Sequence, residues 1–146
     1  MTTNNSSNVI YISSTSFTPT LTGSTTAGVT TYNSQVGYYS RVGNFVFVTG
    51  TIDISAATGT GGALIGGFPI AISNTSGYRV SGPVTISASG WTWSPSTNSI
   101  FGVSNIVSAT TLNILTLGST SSGSAVLTMT NAPAIFQFSF FYEITA

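Results

Sequence analysis

The residues that could carry out acid–base or covalent chemistry are almost absent from this chain. Only four side chains are charged, Arg41, Arg79, Asp53 and Glu143, and there is no Lys, His or Cys. A hydroxyl nucleophile needs a neighbouring base, and the many Ser and Thr residues have none of the usual ones. Asp53 and Glu143 could form a glycosidase pair only if they met in space. Pairing of each acid with an arginine or a backbone amide is the alternative. We therefore expect no enzymatic activity.

Metal and cofactor sites are equally poorly supported. Transition metals bind imidazole or thiolate ligands, which this sequence lacks. Asp53 with carbonyl groups could bind calcium, or three copies of one acid could hold a cation on a threefold axis, but no calcium-loop motif is present. The glycine-rich run 59–67 has Leu64 where a dinucleotide fingerprint requires Gly, and no Lys follows. The sequence thus predicts no metal and no cofactor.

A pair of tryptophans is the one constellation with a binding character. In a strand, Trp91 and Trp93 point to the same face at a separation of roughly 7 Å. Gly90 before them and Ser94-Pro95 after them are typical of a strand end near a loop. Sugar rings stack on such aromatic platforms, so Trp91 and Trp93 are the candidate glycan-binding residues. The alternative is that both are core or interface aromatics, because large aromatic side chains are mostly buried.

The elements that would position these residues are β-strands. Apolar residues alternate with polar ones at period two, and Gly, Asn, Ser and Pro bound the runs. The pattern predicts an all-β antiparallel sandwich or jelly roll, with an N-terminal arm or edge strand over 1–13 and one domain over 14–146. The predicted strands lie near 9–13, 17–22, 37–42, 44–55, 63–66, 69–73, 78–87, 90–93, 100–103, 111–117, 125–130 and 134–145.

Two of the predicted strands have a second apolar row opposite the core row. The core rows are 46, 48, 52 and 54 in one strand and 136, 138, 140, 142 and 144 in the other. The opposite rows mix polar residues with Phe45, Phe47 and Phe141. Such a mixture is typical of a surface buried against another subunit, so these three phenylalanines are the candidate subunit interface. Alternatively, loops of the same chain cover them. The near-absence of charge also favours assembly, because little repulsion keeps copies apart.

Several segments in order resemble a known module. They are 17–23 (FTPTLTG), Tyr32, 35–48 (QVGYYSRVGNFVFV), 67–70 (GFPI) and 140–144 (FFYEI). Together they resemble the C-terminal head module of bacteriophage tail-fibre and related virion proteins. The resemblance implies a jelly-roll homotrimer, like the heads of tumour-necrosis-factor and complement-type proteins, at the tip of a fibre on the virion surface. The chain departs from that family in carrying almost no charge.

These observations together give an expected function. The chain is expected to be a non-enzymatic trimeric fibre head that serves trimerisation and attachment to a host surface, with a glycan or a protein as receptor. A purely structural virion protein and a monomeric carbohydrate-binding module are the alternatives. Nucleic acid is not an expected partner, because no Lys/Arg cluster is present. Membrane insertion is not expected either, because no apolar run approaches about 18 residues.

Overall fold

The computed structural model describes residues 12–73, 80–91, 100–108, 110–117 and 124–144, and in these ranges it contains β-strands and no helix. β-Branched and aromatic residues, which pack well on a pleated surface, fill the strands. The ten strands are β1 (Thr15–Phe17), β2 (Thr20–Gly23), β3 (Thr30–Val42), β4 (Phe45–Ala57), β5 (Ala63–Gly66), β6 (Gly82–Ala88), β7 (Ile100–Ser108), β8 (Thr111–Leu117), β9 (Ser124–Val126) and β10 (Ala134–Glu143).

The strands pair antiparallel in the order β1-β3-β4-β10-β6-β7-β8-β5-β2, and β9 pairs with β8. β10 returns from the end of the chain to lie between β4 and β6. The last strand of this path, β2, lies near its beginning, because side chains of β3 bond to the segment that contains β2. The Tyr32 hydroxyl donates to the Leu21 carbonyl at 3.2 Å, and Gln35 Nε2 donates to the Pro19 carbonyl at 2.7 Å. The predicted all-β antiparallel sandwich is confirmed.

The core lies on the inner face of the sandwich and follows the predicted alternation. Every second residue of β10 from Ala134 onwards is buried, and the residues between them are exposed. The core row of β4 is buried in the same way. Gly50 interrupts that row because Phe138 needs the space: a Cβ at Gly50 would lie 2.6 Å from the ring of Phe138. The predicted core rows of both strands are therefore confirmed.

Strand boundaries differ from the sequence prediction where proline and glycine intervene. The predicted strand at 17–22 is two strands, because Pro19 has no N–H to donate to a ladder. The predicted strand at 69–73 does not form; Gly67 turns the chain at φ 82° and Pro69 follows. β3 begins at Thr30, seven residues earlier than predicted. The division near residue 13 stays a prediction, because residues 1–11 lie outside the described part of the chain.

Candidate functional site

The solvent-facing side of β3, β4 and β10 carries a cluster of exposed apolar side chains. Phe45, Phe47 and Phe141 are 46%, 49% and 56% exposed. Tyr38 and Val42 of β3 extend the cluster and are also exposed. We call these five residues the aromatic patch. All three predicted interface residues are thus brought together on one face. In the described part of the chain, their exposure does not fit the alternative in which loops of the same chain cover them.

The three phenylalanine rings contact one another before any partner is present. Phe141 and Phe47 are directly opposed across β10 and β4, and their ring centroids lie 5.9 Å apart. Phe45 meets Phe141 edge to face at 6.4 Å. Such pairs stabilise each other by about 0.5–1.5 kcal/mol beyond their area burial. The rings therefore form one contiguous surface with Phe141 in contact with both of the others.

A shallow groove of about 480 Å³ adjoins the aromatic patch. Tyr38, Phe47 and Phe141 line it together with Pro83. The lining also includes five small hydroxyl residues: Ser14, Ser40, Thr49, Ser81 and Ser139. No charged residue lines the groove. An apolar surface with a neutral polar margin is the composition found in protein interfaces, where charged residues are depleted from the centre.

The two carboxylates lie far apart on this side of the sheet. Asp53 is opposite Ile135, whereas Glu143 is opposite Phe45. Eight residues of strand separate the two positions, which corresponds to about 27 Å at ~3.4 Å per residue. Glycosidases place their two carboxyl groups about 5–9.5 Å apart. Within one chain, Asp53 and Glu143 therefore do not form a catalytic pair.

Arg41, the one cation in the described part of the chain, forms a local hydrogen bond. Its Nε donates to the carbonyl of Gly43, at 2.8 Å, within the turn that joins β3 to β4. Arg79 lies outside the described residues. In the described ranges, no group of three or more His, Cys, Asp or Glu side chains could hold a metal ion. The same ranges include no helix of the length and hydropathy needed to cross a membrane.

Trp91 requires a correction to the predicted glycan platform. Its side chain is 5% exposed, and its ring packs edge to face on Phe136 at 5.3 Å. The indole N–H donates to the Ala132 carbonyl at 3.0 Å, so the polar atom of the ring is satisfied inside the fold. A buried indole offers no open face on which a sugar could stack. Trp91 is therefore a core aromatic, which was the alternative interpretation of its sequence position. Trp93 lies outside the described residues.

Two features of the site were missed by the sequence prediction. Tyr38 is not among the predicted site residues, yet it faces solvent at the edge of the groove. The alternation of Val36, Tyr38 and Val42 along one strand was the available signal. The second feature is a hydrogen bond from Asn33 to Asp53, and no local pattern in the sequence indicates it.

Tyr142 lies beneath this face and belongs to the core. It is fully buried, and its hydroxyl donates to the Ile70 carbonyl at 2.8 Å. Burial, with a smaller contribution from Tyr39, raises the pKa of Tyr142 to about 12. The hydroxyl therefore stays protonated at neutral pH and has a structural role.

Comparisons with protein-family models, with curated proteins and with solved structures find no match to this chain.

Proposed function

We propose that this chain is a non-enzymatic assembly module that forms a homotrimer through the aromatic patch and serves as the head of a virion fibre. One observation carries the assembly part: three phenylalanine rings, each about half exposed, lie on one face of a sheet, and Phe141 contacts the other two. Contiguous exposed apolar surface of this kind marks interaction sites. Aromatic anchors in the centre of such a surface supply most of the binding energy in protein interfaces.

The electrostatics of the surface also support self-association. The chain has a formal net charge of zero, so two copies do not repel each other at long range. Among the described residues, the charged side chains around the aromatic patch are Arg41, which bonds to its own hairpin turn, and Glu143, which is opposite Phe45. Bringing copies together at this face therefore requires little desolvation of charge.

The threefold symmetry and the place on a virion fibre rest on the resemblance to tail-fibre heads. Attachment to a host surface, with a glycan or a protein as receptor, belongs to the same proposal. A purely structural virion protein would assemble in the same way and bind no receptor. A monomeric carbohydrate-binding module would leave the aromatic patch exposed in solution.

The mass of the protein in solution tests the assembly. Size-exclusion chromatography with multi-angle light scattering should give three times the chain mass of 14.9 kDa at micromolar concentration. A mass of one chain would refute the proposal and favour the monomeric module. A stable dimer would leave the patch as an interface and refute the threefold symmetry.

A further inference from the structure

A polar pair, Asp53 and Asn33, lies on the same side of the sheet as the aromatic patch but away from it. Asp53 is in the interior of β4, a position where aspartate is disfavoured by strand propensity. Asn33 of β3 donates from Nδ2 to the Asp53 carboxylate at 2.9 Å. In the described part of the chain this is the only hydrogen bond to that carboxylate. Asp53 therefore keeps acceptor capacity for donors from outside the chain.

A β-bulge places Asn33 beside this carboxylate. Tyr32 pairs with Ile54 and Ser34 pairs with Asp53, so Asn33 is the extra residue that has no partner on β4. A bulge redirects a side chain out of regular alternation, and bulges are over-represented next to functional sites. The bulge thus holds an amide and a carboxylate from neighbouring strands side by side.

The pair lines a groove of about 390 Å³. The hydroxyl residues Ser87 and Ser89 line the groove as well, and Ile135, which is 39% exposed, adds an apolar surface. Asp53 is the only charged residue in the lining. The groove therefore has Asn33 and Asp53 on one side of Ile135 and Ser87 on the other.

We propose that this groove binds a neutral saccharide through neighbouring hydroxyl groups of a sugar ring. The Asp53 carboxylate would accept hydrogen bonds from the sugar hydroxyls, and Asn33, already oriented by its bond to Asp53, would supply a donor and an acceptor. Ile135 would contact the C–H face of the ring. This inference rests on the attachment part of the proposed function and specifies its ligand and its site.

The charge of the groove selects this ligand over others. Sialylated or sulfated sugars would be repelled by Asp53, and no cation in the lining compensates for it. A calcium ion takes about six to eight oxygen ligands, commonly with several carboxylates, whereas this groove offers one. A single exposed ion pair contributes only about 0–1 kcal/mol, so a cationic ligand would gain little.

The position of the groove makes binding compatible with assembly. Asp53 and Phe47 lie six residues apart on β4, which corresponds to about 20 Å at ~3.4 Å per residue. A copy packed on the aromatic patch would therefore leave the groove accessible.

The test measures saccharide binding by the assembled wild-type protein and by Asp53→Asn. An array of neutral and sialylated oligosaccharides identifies the ligand, and calorimetric titration with the tightest-binding neutral oligosaccharide gives its Kd. Asp53→Asn keeps the size of the side chain and removes the charge, so the Kd should rise by about tenfold or more. Glu143→Gln is the matched control, because it makes the same change at the other acid, outside the groove, and should leave the Kd unchanged.

Asn33→Ala provides a second variant that retains the carboxylate. It should also weaken binding, because Asp53 loses the partner that orients it. Failure of every neutral oligosaccharide to bind the wild-type protein would overturn the inference, as would binding confined to sialylated sugars or an unchanged Kd in Asp53→Asn.

Light scattering on the same samples separates the two proposals. A monomer that binds sugar refutes the trimer alone, and a trimer that binds no neutral sugar refutes the groove alone.

Discussion

Replacement of Phe141 by serine is the sharpest test of the aromatic patch. Phe141 is the most exposed of the three phenylalanines, at 56%, and it is the ring that contacts both of the others. A phenylalanine side chain buries about 200 Å², so assembly could remove about 110 Å² of this ring from water. At about 25 cal/mol per Å², each subunit would lose about 3 kcal/mol of association free energy in Phe141→Ser.

The loss of association free energy counts three times in a trimer, because each of the three subunits carries the substitution. The total of about 8 kcal/mol corresponds to about six decades in the dissociation constant of a trimer. Since that constant has units of concentration squared, the concentration at half-dissociation should rise about a thousandfold. This is an upper estimate, because interface area converts to affinity less efficiently than transfer data suggest.

The assay is light scattering over a dilution series, with the melting temperature as a check on folding. The monomer should keep its fold, because Phe141 lies outside the core and its loss removes only two ring contacts within the patch. Val126→Ser is the control: this residue of β9 is exposed to a similar extent, at 41%, on a strand outside the patch, and its loss should not change the mass. A Phe141→Ser protein that stays trimeric at the same dilution as the wild type would refute the patch as the interface.

Two further predictions concern the core beneath this face. Trp91→Ala should lower the free energy of unfolding by about 3–5 kcal/mol, because it leaves a cavity against Phe136. Urea denaturation measures this free energy. An unchanged midpoint would contradict the buried position of Trp91. For Tyr142, the folded-state pKa of about 12 lies above the ordinary value of 10.0, so the fold favours the neutral form. The stabilisation from this group is complete below the unfolded pKa and is lost as pH rises from about 10 to 12. Tyr142→Phe should be less stable than the wild type at neutral pH, because the Ile70 carbonyl loses its donor. In unfolding measurements this difference in stability should shrink above pH 10. A difference that stays constant with pH would show that folding does not raise the pKa of Tyr142.

The sequence alone was sufficient for the fold class and for the two faces of the long strands. Alternation has a period of two in any strand, so it assigned Phe136 and Val46 to the core and Phe47 and Phe141 to the opposite face, and the structure confirms these assignments. The composition was sufficient to exclude catalysis or metal binding by His, Lys and Cys side chains, because residue counts do not depend on the fold.

Tertiary structure decided what lies next to each residue. Trp91 is buried because Phe136 and Ala132, more than forty residues away in sequence, pack on its ring and accept its N–H. Asp53 meets Asn33 because a bulge shifts the register of β3, and it is separated from Glu143 because β10 pairs with β4 in one particular register. Local patterns fix the direction of a side chain relative to its own strand. Burial and contact depend on which distant strand covers it, and that choice is made by the packing of the whole sandwich.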